Sequence, residues 1–401
     1  MFKAFKQVKQ RRETGNYAAA KWKWYSRRGH SWWRTSGFYF GLYPKQGRFE
    51  VIIVDKARFP KQKLCAGLLT QKTIHLICSL FNETVCSLLK KGIIDFESDY
   101  FEVFFRNRRM AKVHHKSLPF YCVKRSLYDN FSLKKAKGKV LKFLKVKLLF
   151  LRITAKLKLW RQVARLFIRN ISLEPMASTV EWEKKCFSRA KILICCATWF
   201  SYSFWSGCWK KVINADYFPK IFYGYVKWGY AWLFPNKDRL KIGLGGLNGK
   251  NRKTLLSSFR AFLSALGLSN YAEKRIQGHA VPYCNFLEKP VRESTLLVGD
   301  AAGFADPLLG EGIYYAHKSA QLASFAIIQE KVEGKNPGIT YRKELGEHIY
   351  PQLIGAKNLR GILFSKFNSC SQYIAIQVAL GLFNERIVRI IQNEGAYSML
   401  K

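Results

Sequence analysis

Acidic side chains are scarce in this chain. Its 401 residues carry 26 Asp and Glu against 69 Lys and Arg, a formal net charge of +43 with a pI near 10.0. A small soluble domain ordinarily sits within roughly 2–8 charges of neutral. The excess fits a nucleic-acid binder, a protein for anionic membranes, or a basic tail on an ordinary domain. It also fits a chain that partly differs from the one selection shaped. Cysteine pairing is missing too. The ten cysteines form no CxxC and stand at no finger spacing to the seven histidines, and the adjacent Cys195 and Cys196 are poor partners for each other. That argues against a zinc site or a disulfide framework and for a reducing, cytoplasmic compartment. Residues 1–36 lack the apolar core of a signal peptide. The longest uncharged run, residues 192–209, is diluted by Ser, Thr and Gly and reads as no membrane span. Peripheral membrane contact stays open. Paired carboxylates, a Ser-His-Asp order and nucleic-acid motifs are absent, so neither a metal nor a nucleic-acid partner is expected.

Apolar residues are plentiful. A hydrophobic fraction of 48% and an aromatic fraction of 15% exclude global disorder, and the length suits two domains. The charge is patchy. Residues 1–36 hold ten basic side chains and one acid, and residues 131–173 hold thirteen basic side chains and none. Residues 291–330 hold two basic and five acidic side chains, the balance of an ordinary enzyme. Residues 49–55 (FEVIIVD) read as a buried parallel strand ending in an acid. Residues 71–91 and 126–137 have helical spacing, and residues 95–105 alternate weakly, like an exposed strand. Residues 217–246 read as several strands with a turn at 236–238. Helices are expected over 253–268, 312–331 and most of 347–392.

The densest chemical pattern is residues 294–324, STLLVGDAAGFADPLLGEGIYYAHKSAQLAS. A short apolar strand ends at Gly299 and Asp300. Gly303, Pro307, Gly310 and Gly312 follow, and a helix is expected from about Gly312. Small residues let backbone approach a ligand closely. The start of the helix offers unpaired N–H groups and a positive dipole end, which suit an anionic ligand portion. Asp300 can accept a hydrogen bond from a sugar-type hydroxyl.

This stretch resembles the second flavin-contacting motif of the FAD-dependent geranylgeranyl reductase family, within the flavoprotein hydroxylase-like superfamily. The resemblance implies that Gly299 and Asp300 meet the ribityl–pyrophosphate part of FAD, and that Pro307 through Ile313 lie beside the isoalloxazine. Residues 51–70 (VIIVDKARFPKQKLCAGLLT) resemble the family's second strand and following loop. There Asp55 would hold the adenosine ribose, Arg58 would be a further cofactor contact, and the loop from Cys65 to Gly67 would approach the flavin. The family usually has Cys-Gly-Gly at that loop. Ala66 adds a methyl. Residues 123–131 (VKRSLYDNF) resemble an Arg-plus-Asp segment with Arg125 near the flavin. Tyr230, Trp232, Phe234 and Pro235, then seven residues, then Gly243-Leu244-Gly245, resemble the family's substrate-pocket signature. The implied fold is α/β. A Rossmann-like FAD-binding domain, incomplete at its N-terminus, would comprise residues 1–131 and 275–335. Residues 132–274 would hold a mixed segment and an inserted antiparallel-sheet substrate domain, and residues 336–401 a helical region.

Such a fold needs a G-x-G-x-x-G turn before Asp55 to bind pyrophosphate through glycine backbone. As spelled, residues 25–47 contain none. Read one base later, residues 29–37 (GHSWWRTSG) can become Val-Ile-Val-Gly-Gly-Gly-Pro-Ala-Gly, because Trp32 and Trp33 have a single codon each. Read one base earlier, residues 173–185 can become Gly-Ala-Asp-Gly-Val-Asn-Ser-Arg-Val-Gly-Lys, a resemblance to the family's Gly-Ala-Asp-Gly motif. The expectation is that segments near residues 25–46 and 132–212 are out-of-frame translations of a once intact flavoenzyme gene. This separates the family's function from the activity of the literal chain, which is in doubt.

The resemblance implies an oxidoreductase. Reduced FAD, with NADPH or ferredoxin as electron donor, would pass hydride to a prenyl carbon–carbon double bond of a small-molecule or lipid substrate. His279 and Cys65 are candidates for the proton source. A flavoprotein monooxygenase or halogenase is the alternative on the same fold. A basic, non-enzymatic membrane- or nucleic-acid-binding protein, using residues 139–170, is the alternative outside it.

Overall fold

The computed structural model describes residues 52–55, 59–60, 63–114, 119–137, 142–145, 196–205, 217–251, 253–269, 276–282, 286–292, 295–365, 373–374 and 392. The glycine-turn region at 25–47, Arg58 and the side chains of Asp55 and His279 lie outside the described residues.

Strand β1 (Ile52–Asp55) pairs in parallel with β7 (Lys142–Lys145), in register Ile52 to Lys142 and Asp55 to Lys145. The β-branched run that suggested a parallel strand therefore forms one. A three-stranded antiparallel sheet lies beyond it, ordered β2 (Leu68–Leu69), β6 (Phe120–Val123), β3 (Ile94–Ser98). The expected helix over 71–91 is two helices, α1 (Gln71–Phe81) and α2 (Val85–Lys90). Helix α1 stops because Asn82 turns left-handed at φ 52°, and Thr84 restarts the chain by accepting the Ser87 N–H at 3.1 Å. Ile74, Ile77 and Phe81, three and four residues apart, form its buried face.

The largest sheet has seven strands in the order β12 (Gln277–Pro282), β8 (Cys196–Trp205), β11 (Arg239–Leu247), β10 (Gly229–Asn236), β9 (Lys220–Tyr223), β4 (Tyr100–Phe105), β5 (Arg108–His114). Its ladders are antiparallel except β4 with β9, which is parallel. Strands from residues 100–114 and 277–282 thus join a sheet that the sequence suggested for 132–274. The weakly alternating stretch at 95–105 is not an exposed strand. It bends between β3 and β4, and Phe101 and Val103 of β4 are buried against Phe120, Cys122 and Trp232. Glu102 on β4 is buried as well, with Lys220 Nζ at 2.9 Å and Arg109 Nη1 at 3.2 Å.

The period of two separates the faces of this sheet. Ala231, Leu233, Leu240, Ile242 and Leu244 pack with Phe259 and Phe262 of α5 (Leu255–Ala265), which follows the short α4 (Asn248–Asn251). On the other face Trp232 and Phe234 pack with Phe101, Phe120, Cys122 and Ile221. Strand β6 and the 65–69 segment lie against that second face.

Helix α3 (Arg125–Lys137) follows β6. Regular structure at 132–137, 142–145 and 196–205 therefore falls inside the stretch expected to be out of frame, and the remainder of that stretch lies outside the described residues. The chain then passes through a two-stranded ribbon, β13 (Val291–Arg292) with β14 (Thr295–Leu296), and a 3-10 turn at Gly299–Ala302. Helix α6 (Ile313–Glu333) is buried on nearly all sides over its first four turns, which marks it as the central helix. Ala320, Ala323 and Ala326 keep its surface low. Tyr341 and Leu345 of α7 (Pro337–His348) pack on it, with Leu353 of α8 (Tyr350–Ser365) in the same cluster. No helix among the described residues is long and apolar enough to cross a membrane.

Candidate active site

The turn at Gly299–Ala302 is fixed from below. The Gly299 N–H donates to Ser319 Oγ of α6 at 2.8 Å, and Phe304 N returns to Gly299 O at 2.9 Å. This aims Asp300 toward the start of α6. Its Oδ1 is sealed from water and has no hydrogen-bond partner, and a Cβ on Gly312 would come within 3.1 Å of it. Burial raises the Asp300 carboxyl to about 7, against the opposing charges of Lys63 and Arg125. An unsatisfied buried acceptor is costly, so the arrangement suits a ligand hydroxyl that donates to Asp300.

The loop from Asp306 to Gly312 is held by its own backbone. Asp306 Oδ1 accepts the N–H groups of Leu308 and Leu309 at 2.8 and 2.7 Å, Gly310 N donates to Asp306 O at 2.9 Å, and Asp306 N donates to Glu311 O at 2.9 Å. Neighbouring elements brace it. Tyr230 donates its hydroxyl to Leu309 O, and Arg360 of α8 reaches Pro307 O at 3.4 Å.

Facing this loop is the segment ending at Gly67. Gly67 has φ 80°, and a Cβ there would meet Lys241 Nζ and Val123 O at 2.5 Å each, so glycine is required. The Ala66 methyl packs against the Phe101–Trp232–Phe234 cluster. Arg125, buried at the start of α3, holds Asp129 through Nη2 at 2.9 Å and reaches Cys65 Sγ through Nη1 at 3.5 Å. Burial alone would raise the Cys65 thiol. The charges of Arg125 and Lys241, the Arg125 hydrogen bond and Lys63 outweigh it and leave the pKa lowered. Cys65 therefore sits in a field that favours thiolate, which suits a base or nucleophile better than a proton donor. Burial and the Arg125 charge push the Lys63 ammonium down, while burial alone is the leading cause for Lys241, which donates to Val123 O at 2.8 Å.

Cys65, Gly67, Arg125, Gly299, Asp300, Gly310 and Gly312 thus converge from four separate stretches of chain. Gly303 closes the 3-10 turn in the left-handed region, at φ 76°. Ile313 opens α6 and is buried beside Tyr128 and Ile74. Tyr230, Trp232 and Phe234 share the face of β10 that looks toward this cluster. Trp232 and Phe234 stack at 6.3 Å between centroids, and Trp232 lies opposite Gly243 and Tyr230 opposite Gly245, so no β11 side chain crowds either ring. Pro235 is buried next to them, at the end of the strand. Trp232 is only 1% exposed, so it is core as well as wall. Lys63, Lys241, Thr70 and Thr73 carried no signal in the sequence as site residues. Among the described residues no cluster of His, Cys, Asp and Glu could hold a metal ion.

An orphaned acceptor beside a glycine-lined helix start, the Cys65–Gly67 segment and a sheet of aromatics are thus brought together. No family model matches the chain. It is 26% identical over 366 residues, 86% of each chain, to an uncharacterized protein of Methanosarcina barkeri. It is 32% identical over 145 residues to digeranylgeranylglycerophospholipid reductase 2 of Methanothermobacter thermautotrophicus, covering 33% of this chain and 36% of that one. The match thus spans about a third of that named reductase. A geranylgeranyl bacteriochlorophyll reductase-like protein from Thermoplasma acidophilum shares the fold at a TM-score of 0.67 and 13% identity, over 93% of this chain and 96% of the other. The chain is thus similar in sequence to geranylgeranyl reductases over about a third of its length, and it shares a fold with a geranylgeranyl reductase-like protein over most of it.

Proposed function

We propose that this protein is an FAD-dependent reductase of prenyl carbon–carbon double bonds. The water-sealed, unpartnered Asp300 Oδ1 beside Gly312 supports this reading most directly, because it is the acceptor a ribityl hydroxyl would satisfy. When bound and reduced, FAD supplies hydride. Asp300, Gly299 and Gly303 hold the cofactor's ribityl–pyrophosphate portion, and the backbone from Pro307 to Ile313 lines the isoalloxazine. Asp55 and Arg58 belong to the adenosine end. Arg125, neutralised in part by Asp129, keeps positive charge beside Cys65 and Gly67 where the ring would lie. Tyr230, Trp232 and Phe234 form the apolar wall that receives the prenyl chain and excludes water, while Pro235, one position out of phase, stands near the end of the strand on the other face. NADPH or ferredoxin is the electron donor, and the lipid nature of the substrate brings peripheral contact with a membrane.

The test is FAD titration of the purified protein, followed by anaerobic incubation of the photoreduced complex with a geranylgeranyl lipid. Product mass should rise by one hydrogen molecule per saturated bond. A product that forms only with oxygen and gains an oxygen or halogen atom would replace this reading with the monooxygenase or halogenase one. Failure of the chain to bind FAD would restrict the reading to its family and not to this polypeptide.

A further inference from the structure

We propose that Glu311 is the positioning residue of the site. Its carboxylate clamps the Asp306–Gly312 loop to the start of α1, so that the two glycine loops are fixed relative to each other before any ligand arrives. The inference rests on the flavin reading for its functional consequence.

Glu311 stands between Gly310 and Gly312, yet its side chain leaves the loop and enters α1. Its Oε1 accepts the Thr70 hydroxyl at 2.7 Å and the Thr73 hydroxyl as well, and its Oε2 lies 3.2 Å from Lys72 Nζ. The two charged side chains are 7% and 1% exposed, so the ion pair is screened little by solvent. Thr70 is the residue before α1, where a threonine hydroxyl ordinarily caps its own helix. Here it makes no such cap, and the hydroxyl goes to Glu311 instead. The carboxylate itself sits at the positive end of the α1 dipole. Gln392 Oε1 takes the Gln71 N–H at 2.7 Å, so this helix start is occupied by acceptors from two distant parts of the chain. Lys72 is held in turn over the rings of Tyr314 and Tyr315, at 4.9 and 5.3 Å from their centroids.

The consequence is geometric. Segment 63–70 runs directly into α1, and loop 306–312 runs directly into α6. The helices themselves already meet, where Ile313 packs beside Ile74 and Lys72 lies over Tyr314 and Tyr315. Glu311 adds a link between the loops, and a Cβ on the next residue, Gly312, would come within 3.1 Å of Asp300 Oδ1. Loss of the clamp therefore shifts Gly310 and Gly312 relative to Gly67 without removing any side chain that touches the ligand.

The experiment compares wild type with Glu311→Gln, Thr73→Val and Thr73→Ser. In FAD-free protein, hydrogen exchange of a peptide covering Leu308–Gly310 should quicken in Glu311→Gln and Thr73→Val and return toward wild type in Thr73→Ser. Peptides from α7 report whether the fold as a whole has loosened. With FAD, affinity should fall about tenfold to a hundredfold, as for one hydrogen bond to a charged group. The visible flavin band should move, and Thr73→Ser should restore both. Unchanged loop exchange in Glu311→Gln, or no recovery by Thr73→Ser, would overturn the clamp. If wild type binds no FAD, the flavin reading fails for this chain, and loop exchange still decides the clamp.

Discussion

Arg125 and Asp129 form a buried ion pair one helical turn apart, with Nη2 2.9 Å from Oδ1 and both side chains 5% exposed or less. Removing one partner leaves a charge without its counter-ion in the interior, which costs about 3–5 kcal/mol. Asp129→Ala should lose that much in urea unfolding, and Asp129→Asn, which keeps an acceptor for the guanidinium, should lose less. Equal losses would mean that the pair contributes by packing alone.

The same guanidinium governs Cys65. Because the thiol's pKa is lowered, chiefly by Arg125 and Lys241 against the opposing effect of burial, alkylation of Cys65 should begin at a lower pH than that of an ordinary cysteine. Arg125→Gln should move the onset upward. Peptide mass spectrometry after iodoacetamide treatment across a pH series reads this residue separately from Cys78, whose pKa is raised by burial and Glu83.

Asp300 makes stability depend on pH. Its carboxyl is raised from 3.8 to about 7 by burial, so the folded chain holds the proton more tightly than the unfolded chain does. The resulting stabilisation is complete below the unfolded value and disappears as pH rises through about 7. FAD-free wild type should therefore lose stability relative to Asp300→Asn between about pH 4 and pH 7. Parallel denaturant titrations of the two proteins check it, and a constant difference over that range would contradict it.

Tyr230 ties the large sheet to the loop through Leu309 O. Tyr230→Phe keeps the ring and removes only the hydroxyl. Its cost should be about 1 kcal/mol, the net worth of one neutral hydrogen bond. Trp232→Ala, at a fully buried ring, should cost about 3–5 kcal/mol. Thermal unfolding of both separates strap from core.

The reading-frame expectation is settled by nucleotides. The proposed turn needs AGG or CGG at Arg34, ACC at Thr35 and AGC at Ser36. Sequencing the coding DNA over residues 25–50 and 125–215 checks these codons, and any others at those three positions remove the turn.

The turn and helix start at 299–313 were legible because their residues are nearly consecutive. Gly299, Asp300, Gly310 and Gly312 announce themselves within fifteen positions, and the structure adds only what each one touches. Lys241 was not legible. On β11 it reads as the ordinary polar position of an alternating strand, and only β6 laid across that face buries it against Val123 O. Glu311 carries no signal of its clamp in the sequence, because its partners lie in a different helix, far back in the chain. The stretch at 95–105 misled for a related reason. Its weak alternation suggests an open edge, whereas β9 arrives from far downstream to cover one side and β5 covers the other.

The parallel junction of β4 with β9 bears on assembly. The β4–β5 and β10–β11 hairpins can zip locally, but the junction between them must wait for an excursion that also contains β6, α3, β7 and β8. Closing such an excursion is entropically dear once, and each doubling of a flexible connection adds only about 0.6 kcal/mol. The long sequence separation of the β4–β9 pairing therefore weighs more on how quickly the sheet comes together than on the finished sheet.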